Sequence, residues 1–391
     1  MGKRQKQVTH RINYRRENSK EIPIDLLIEI FSRLSMADIA RCRCVSKLWS
    51  SVPRLRYFTE LFLETSSARP RILFTFPHNG KRIFYSISQH LHSEPSPFPF
   101  VPYYHMSFPE GKGFSYDYEI HAPVRGFLCS KSSKPMIYNP STGECKTLPR
   151  AMTKRTEMKT YFGYDPIDKL FKVLCVSKVL LASEDFACRV STLGTGEVYW
   201  RMIECSIPHR PLRGEICIDG VLYYVAECTG NKIPQRYMVV CFDVRSEKFK
   251  FLAVELIIWC STLINCKGKL GVLWSSPFGL THELTKYFVL WILEDANELR
   301  WSKTTYTLPS YWKNLVANNS LYIVGMTSAG EIVLSTCYLK ILNYPFYIVY
   351  YNVVKKTAGK IEIQFGNIAK RAKNSRIYTF IDHVENVERM D

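Results

Sequence analysis

Two short stretches carry side chains that metal sites use, and neither completes such a site. His282 and Glu283 begin a zinc-protease helix pattern, but Lys286 occupies the position of the second histidine ligand. Cys42 and Cys44 are separated by one residue, which is shorter than the spacing of zinc-binding pairs. The chain also contains no Gly-x-Ser-x-Gly nucleophile turn and no Gly-x-x-x-x-Gly-Lys phosphate loop. The residue types therefore predict a non-catalytic protein without a metal or other cofactor.

Basic side chains are concentrated near the two ends of the chain, whose formal net charge is +18. Residues 1–20 carry seven basic residues against one acidic residue, and so do residues 355–376. Such clusters could contact nucleic-acid phosphates, but Leu48 and Trp49 occupy the helix where polar base-reading residues would be needed. We therefore expect no direct nucleic-acid binding as the main activity, and keep it as an alternative. Residues 1–20 are predicted to form a mobile basic arm, either a solvated tail or a nuclear-import signal.

The cysteines and the hydropathy pattern indicate where the protein resides. Thirteen cysteines is an odd number, and many lie among apolar strand residues, where a thiol behaves as a small buried hydrophobe. This usage is typical of a reducing compartment. The longest strongly apolar run, residues 256–260, is far too short to cross a bilayer. We expect a protein of the nucleus or cytoplasm that has no membrane partner.

Helical periodicity begins just after the basic arm. Apolar residues recur on one predicted stripe of a first helix, whose opposite face is polar; the stripe comprises Leu26, Leu27, Ile30, Phe31 and Leu34. Pro23 suits the start of this helix, since its fixed φ and missing N–H cost nothing there. Ser35 and Ser46 are predicted to cap a second and a third short helix. Residues 21–66 therefore form a small all-α module.

From residue 67 to residue 391 the period changes to that of short strands. The clearest hairpin lies at residues 215–226, where Asp219 and Gly220 supply the positive φ angles of a tight turn. Residues 93–123, rich in Pro, Tyr and Phe, predict a loop or irregular crossing. A weak repeat of aromatic-Asx, turn and strand recurs near residues 138, 242 and 351. This pattern predicts a large all-β domain of β-propeller, kelch-like type, with a pair of sandwiches as the alternative; the repeat is too degenerate to fix the number of blades.

Two parts of the chain resemble a known plant family. Residues 22–34 (IPIDLLIEIFSRL) and 38–49 (DIARCRCVSKLW) are similar to the two halves of the F-box motif in order and spacing. Two positions depart from the motif: Ile22 replaces the usual leucine before the proline, and Ser35 replaces the usual proline after the first helix. Ile22 keeps an apolar anchor, and Ser35 supplies a helix cap.

The β region resembles the F-box-associated domain of the large plant F-box families. The similarity is strongest over residues 124–306 and rests on the order of several hairpin segments, which are 125–128 (RGFL), 138–143 (YNPSTG), 162–166 (FGYDP), 219–224 (DGVLYY), 242–247 (FDVRSE), 266–271 (CKGKLG) and 290–295 (LWILED). Each segment alone is an ordinary hairpin sequence. Their succession along the chain is what identifies the family.

The resemblance implies a role as the substrate-recognition subunit of a Skp-cullin-F-box (SCF) ubiquitin ligase. Such a subunit needs no catalytic group of its own. The helical module would dock on a Skp-family adaptor, which bridges to a cullin scaffold, and the β domain would bind an unknown protein substrate. The residues expected at the adaptor interface are Ile22, Pro23, Leu26, Leu27, Ile30, Leu34, Val45 and Trp49.

Two alternatives remain open from the sequence. Any single residue of the expected interface could instead pack the helical module internally, and this applies above all to Leu27 and Phe31. The module could also bind its adaptor without supporting ligase activity, which would leave a non-catalytic interaction protein.

Overall fold

The computed structural model describes residues 22–90, 100, 102–109, 119–151, 156–179, 186–194, 196–228, 237–254, 260–275, 280–316, 319–338, 346–366 and 375–390. The basic arm at residues 1–20 lies outside these residues, as does the stretch 367–374 of the second basic cluster.

The described chain begins with a compact group of helices. They are α1 (Ile24–Ser32), α2 (Met36–Cys42), α3 (Lys47–Ser51), a 3₁₀ turn (Val52–Arg54) and α4 (Arg56–Ser67). The Oγ of Ser35 accepts a hydrogen bond from the N–H of Asp38, and the Oγ of Ser46 accepts one from the N–H of Trp49. The two predicted caps are therefore confirmed.

Strands make up nearly all of the remaining described chain, with one short helix, α5 (Trp312–Val316). The strands are β1 (Arg71–His78), β2 (Lys81–Ser88), β3 (Tyr103–Pro109), β4 (Leu128–Cys129), β5 (Met136–Asn139), β6 (Glu144–Thr147), β7 (Thr156–Asp165), β8 (Leu170–Val179), β9 (Phe186–Thr192), β10 (Arg201–Ile203), β11 (His209–Ile218), β12 (Val221–Cys228), β13 (Tyr237–Asp243), β14 (Phe249–Ala253), β15 (Thr262–Cys266), β16 (Lys269–Trp274), β17 (Leu280–Thr281), β18 (Tyr287–Asp295), β19 (Arg300–Thr307), β20 (Leu321–Met326), β21 (Glu331–Thr336), β22 (Phe346–Asn352), β23 (Thr357–Ile363) and β24 (Tyr378–His383).

These strands form six antiparallel sheets arranged as a six-bladed β-propeller. In chain order the sheets are β24-β1-β2-β3, β4-β5-β6, β7-β8-β9-β10, β11-β12-β13-β14, β15-β16-β18-β19 and β17-β20-β21-β22-β23. In the second blade, residues 119–124 run beside β4 through bridges at Ile120 and Val124 and take the inner position. The predicted helical module followed by a large all-β propeller is thus confirmed, and the blade number is six.

The innermost strands are arranged side by side around the propeller axis, and all of them run in the same direction along it. Neighbouring inner strands β7, β11, β15, β20 and β24 contact one another in that order. We call the face where they begin the upper face and the face where they end the lower face. β24 pairs with β1, as in Leu73 opposite Phe380, so the first blade contains both ends of the propeller chain. This pairing closes the ring and removes the open edge that a linear stack of sheets would leave.

Each junction between neighbouring blades has its own apolar core. The junction of the sixth blade with the first contains Phe74 and Phe76 from β1, Phe346 from β22 and Phe365 just after β23. The ring centroid of Phe365 lies 5.2 Å from that of Phe74 and 5.2 Å from that of Phe346. Because a buried aromatic side chain contributes about 1.5–3 kcal/mol through burial, these junctions hold the ring together.

One predicted hairpin turn is found in the structure, whereas one predicted loop contains a strand. Ile218 pairs with Val221, and Asp219 and Gly220 adopt φ angles of 45° and 82°, so the predicted hairpin is confirmed. The prediction of a loop at residues 93–123 is wrong for Tyr103–Pro109, which forms β3 at the outer edge of the first blade. Proline is tolerated there because Pro109 ends an edge strand. Residues 93–99, 101 and 110–118 lie outside the described residues.

The apolar core between the sixth and the first blade allows a stability prediction. Replacing Phe365 with alanine should lower the free energy of unfolding by about 3–5 kcal/mol, because the lost side chain leaves a cavity among four aromatic rings. Denaturant unfolding followed by tryptophan fluorescence measures the change. Val354→Ala is the control, since Val354 is 82% exposed and should change stability by no more than about 0.5 kcal/mol. Equal stability of the two variants would show that this junction does not secure the ring.

Candidate functional site

The first helix, α1, is apolar on more than one face. Its inner face carries Leu27, Ile28 and Phe31, which are buried against α4 and the other short helices. The ring of Phe31 contacts those of Trp49 and Phe58 edge-on, at centroid distances of 5.6 and 6.5 Å. These contacts form the core of the helical module, and they use only part of the apolar surface of the helix.

The outer face of α1 exposes a second apolar stripe. Leu26 is 52% exposed and Ile30 is 47% exposed, and their spacing of four residues places them in one row along the helix, with the exposed Ile22 just before its start. Pro23 is exposed at the start of this row, and Val45, between α2 and α3, is 63% exposed. Apolar surface that the core of a module leaves exposed in this way normally marks a contact site. The outer stripe is therefore suited to a partner protein.

The residues expected at the interface from sequence divide into two groups. Ile22, Pro23, Leu26, Ile30 and Val45 are exposed. Three others belong to the internal core of the module: Leu27, which is 1% exposed, and the half-buried Leu34 and Trp49.

The single predicted stripe is thus two adjacent stripes, because only the arc around Leu27 and Phe31 faces the module's own core. For Leu27, the position supports the internal role that sequence left open. Sequence reasoning missed Ile24, which is also exposed. Its signal was an apolar residue directly after the helix-starting Pro23.

The chain's last described residues fix the helical module to the lower face of the propeller. We call residues 384–390 the C-terminal segment. Within it, Val387 packs in the helical core, the N–H of Glu385 donates to Ser66 Oγ at 2.8 Å, and Glu385 Oε2 accepts from the N–H of Met36 at 3.5 Å. The same segment contacts the module and the propeller, so the two share one continuous interface.

Two buried asparagines attach the C-terminal segment to the second blade. Asn139 Nδ2 donates to the carbonyls of Asn386 and Glu388 at 3.1 and 3.0 Å. Asn386 Nδ2 donates to the carbonyl of Arg125 at 2.7 Å. Buried amides that satisfy backbone groups are costly to disrupt, since each broken bond leaves an unpaired polar atom. The module is therefore held in a fixed orientation on the propeller.

A cluster of ionisable residues lies at the axis of the propeller, where Lys131 and Glu215 line a cavity. Glu215 Oε1 accepts from Lys131 Nζ at 2.5 Å and from His121 Nδ1 at 2.9 Å. His121 Nε2 accepts from the hydroxyl of Thr160 at 3.2 Å. His121 and Glu215 are 94 residues apart in the chain, so no spacing in the sequence marked them. Their hydrogen bonds are mutually satisfied, which favours a structural role.

For both His121 and Glu215, burial and ion pairing have opposing effects on the pKa, and the pKa of each residue ends below its ordinary value. Burial lowers the pKa of His121 below its ordinary value of 6.5, although the Glu215 carboxylate partly opposes this. Burial alone would raise the pKa of Glu215, but Lys131 and His121 outweigh it and bring that pKa to about 2. Near neutral pH, Glu215 is therefore ionised and His121 is neutral, with its proton on Nδ1.

Metal-binding clusters and membrane-spanning helices are two other features that would indicate a function. In the described part of the chain, no group of three or more His, Cys, Asp or Glu side chains is arranged to hold a metal ion. No described helix combines the length and apolar character needed to cross a membrane. All thirteen cysteines are free thiols.

A small helical module that presents an apolar stripe, fixed to a six-bladed platform, defines a class of protein–protein interaction module. Residues 71–384 match the family described as the F-box associated beta propeller domain, and residues 20–61 match the F-box domain. The chain therefore belongs to the F-box proteins with an F-box-associated β-propeller domain.

Several relatives from Arabidopsis thaliana align over nearly the whole chain. E3 ubiquitin-protein ligase SGIP1 is 60% identical and is covered, like this chain, over 100% of its length. F-box protein At3g47030 is 51% identical, with 99% of this chain and 95% of that protein covered. F-box protein DOR is 41% identical, with 96% and 95% covered.

The close approach of the C-terminal segment to Gly126 generates a prediction. Gly126 has a φ of +87°, and a Cβ there would lie 2.6 Å from the carbonyl oxygen of Val384 and 2.8 Å from Asn386 Cβ. Gly126→Ala should therefore lower the thermal unfolding midpoint, with a cost of about 1–3 kcal/mol or more. It should also speed proteolysis within the C-terminal segment.

Gly80→Ala is the matched control for this substitution. Gly80 also has a positive φ, +68°, but no atom lies within 4 Å of the position that a Cβ would take there. The change in unfolding midpoint of Gly80→Ala therefore reports the effect of backbone strain at a positive φ without the steric contact. An equal fall of the unfolding midpoint in both variants would contradict the importance of the contact with Val384 and Asn386.

The His121–Glu215 pair generates a pH prediction. The unfolded chain binds a proton at His121 near pH 6.5, whereas the folded chain does so only at lower pH, so stability falls as pH decreases through that window. Glu215 adds a further loss between pH 4.5 and about 2. His121→Asn, which keeps a donor toward Glu215, should flatten the dependence of the unfolding midpoint on pH as the pH decreases below 6.5. Parallel pH profiles for wild type and variant would refute this assignment.

Proposed function

We propose that the protein is the substrate-recognition subunit of an SCF-type ubiquitin ligase in the nucleus or cytoplasm. In this role the F-box module binds a Skp-family adaptor, the adaptor connects it to a cullin scaffold, and the propeller binds the protein to be ubiquitinated. The observation that carries the proposal is the outer apolar stripe of α1, which the module's own core leaves exposed. The 60% identity to a protein named as an E3 ubiquitin-protein ligase supports it.

The physical basis of adaptor binding is the burial of this stripe in an apolar groove. Leu26 and Ile30 lie one turn apart and form an i, i+4 pair of anchors of the kind that helix-in-groove complexes use. Ile22 and Pro23 extend the row at its beginning, and Val45 adds an anchor from the turn before α3. Leu27 and Phe31 contribute indirectly, because they hold α1 in the module with its outer face turned away from the core.

The ligase chemistry in this proposal takes place on the partners. The subunit would act by holding its substrate near the ubiquitin-charged enzyme, which raises the effective concentration of the acceptor lysines. A fixed geometry favours such a mechanism, since a loosely tethered substrate would spend most of its time out of reach. The hydrogen bonds of Asn139, Asn386 and Glu385 to the rest of the chain supply that rigidity.

Substituting the outer stripe tests adaptor binding. Leu26→Asp combined with Ile30→Asp should weaken binding to a purified Skp-family adaptor at least about a hundredfold, because each anchor loses roughly 1.5–3 kcal/mol of burial. Biolayer interferometry measures the affinity. Val354→Asp is the control, since it makes the same chemical change at an apolar residue of the propeller that is 82% exposed. Unchanged thermal unfolding of all variants confirms that folding is intact.

The outcomes separate the alternatives. Failure of the wild type to bind the adaptor would refute the proposed function, and equal binding by the double variant would show that another face docks. Ligase activity is then measured as self-ubiquitination in a reconstituted complex with adaptor, cullin and charging enzymes. Adaptor binding without ubiquitin transfer would favour the non-catalytic interaction protein that the sequence left open.

A further inference from the structure

The axial channel of the propeller contains a cavity of about 390 Å³ lined by residues from all six blades. Its lining includes the first halves of several inner strands, for example Met158 of β7, Thr262 of β15 and Tyr322 of β20, together with later residues of β11 such as Glu215. Those strands begin at the upper face, whereas the helical module contacts the lower face. The cavity therefore lies on the side of the propeller turned away from the adaptor-binding stripe.

The cavity combines apolar walls with a few charged groups, which is typical of ligand sites of this size. Ile120, Leu263, Ile323 and Phe380 contribute apolar surface. The charged groups are three cations and two carboxylates, namely Lys131, Lys159, Arg376, Glu119 and Glu215. The cations are thus in excess by one at the cavity.

Most of these charges are already engaged with one another or with the backbone. Lys131 Nζ lies 2.5 Å from Glu215 and 4.0 Å from Glu119. Lys159 Nζ donates to the carbonyl of Leu212 at 3.1 Å. The charges of Lys131 and Glu215 largely cancel in this ion pair, so neither side chain is readily available to bind an incoming ligand.

Arg376 is the exception. Its guanidinium is held over the ring of Tyr378, 4.8 Å from the ring centroid. Its nearest carboxylate oxygen belongs to Glu119 at 3.8 Å, beyond hydrogen-bond distance, and the side chain makes no hydrogen bond to any residue that the structure describes. A guanidinium has five donors in a planar fork that fits a carboxylate. Stacking on Tyr378 orients that fork in advance, so less conformational freedom is lost on binding.

We infer that this cavity binds an acidic side chain of the protein substrate, with Arg376 as the residue that pairs with its carboxylate. The inference rests on the proposed function as a substrate receptor. The single excess cation matches one carboxylate, and the apolar walls suit apolar residues beside it. The net charge of +18 adds a long-range attraction for acidic partners. Glu119 repels the incoming carboxylate and competes for Arg376, which makes it a determinant of affinity.

The experiment uses the full chain in complex with its adaptor and a displayed library of random heptapeptides. Selection on the wild type should enrich Asp or Glu at one position of the peptides, flanked by apolar residues. The best peptide, measured by fluorescence anisotropy, should bind Arg376→Gln roughly tenfold to a hundredfold more weakly. Replacing its acidic residue with the matching amide should weaken binding to the wild type similarly. Glu119→Gln should strengthen binding.

Arg300→Gln is the matched control, because Arg300 also lies just beyond hydrogen-bond distance of a carboxylate, 3.9 Å from Glu298, and is exposed on an outer strand. It should leave peptide affinity unchanged. Peptides without acidic enrichment, or full affinity in Arg376→Gln, would overturn the inference. It would also be overturned if a free acid such as benzoate bound in an Arg376-dependent manner while no displayed peptide did. Adaptor affinity, measured in parallel, shows whether the proposed function itself has failed.

Discussion

β24 hydrogen-bonds to β1, and the chain then continues beneath the helical module as the C-terminal segment. One stretch of fewer than twenty residues therefore closes the propeller ring and attaches the F-box to it. Without the first contact, the first blade would lose its inner strand and the ring would have open edges. Without the second, Val387 would leave the helical core, and the hydrogen bonds of Glu385 to Ser66 and Met36 would be lost.

This arrangement explains how a small helical module can be stable while half of its first helix remains apolar and exposed. A group of short helices has little core of its own, and isolated helices of this length are marginal in water. The inner stripe of α1, Phe58 of α4 and Val387 from the far end of the chain together supply that core. The outer stripe is therefore free to serve a partner. The propeller contributes stability to the module as well as a binding surface.

Sequence predicted the features that depend on neighbouring residues. The caps at Ser35 and Ser46 and the turn at Asp219 and Gly220 are set by local hydrogen bonds and allowed φ angles, and all are found as predicted. The succession of short strands and the weak aromatic-Asx repeat favoured a propeller, with a pair of sandwiches as the alternative, and the propeller is confirmed. The blade number was not accessible, because the second blade is built from short strands and an irregular inner segment. β3 was missed because an edge strand needs little alternation and tolerates proline.

The candidate sites were only partly predictable for a related reason. Helical periodicity identified an apolar arc on α1, but it could not tell which part of that arc faces the core, since this depends on how α1 packs against α4 and on a core that also includes Val387, more than 350 residues away. The axial cluster of Lys131, His121 and Glu215 is assembled from separate blades and has no spacing to detect.

The propeller topology brings residues together that are distant in the sequence. It also places the two candidate sites on opposite faces. Adjacent inner strands run in one direction, so their first halves converge on the upper face and their ends on the lower face. The module occupies the lower face through the C-terminal segment. A partner bound at the upper end of the channel would therefore not compete with the adaptor, and both could be held at once in one fixed geometry.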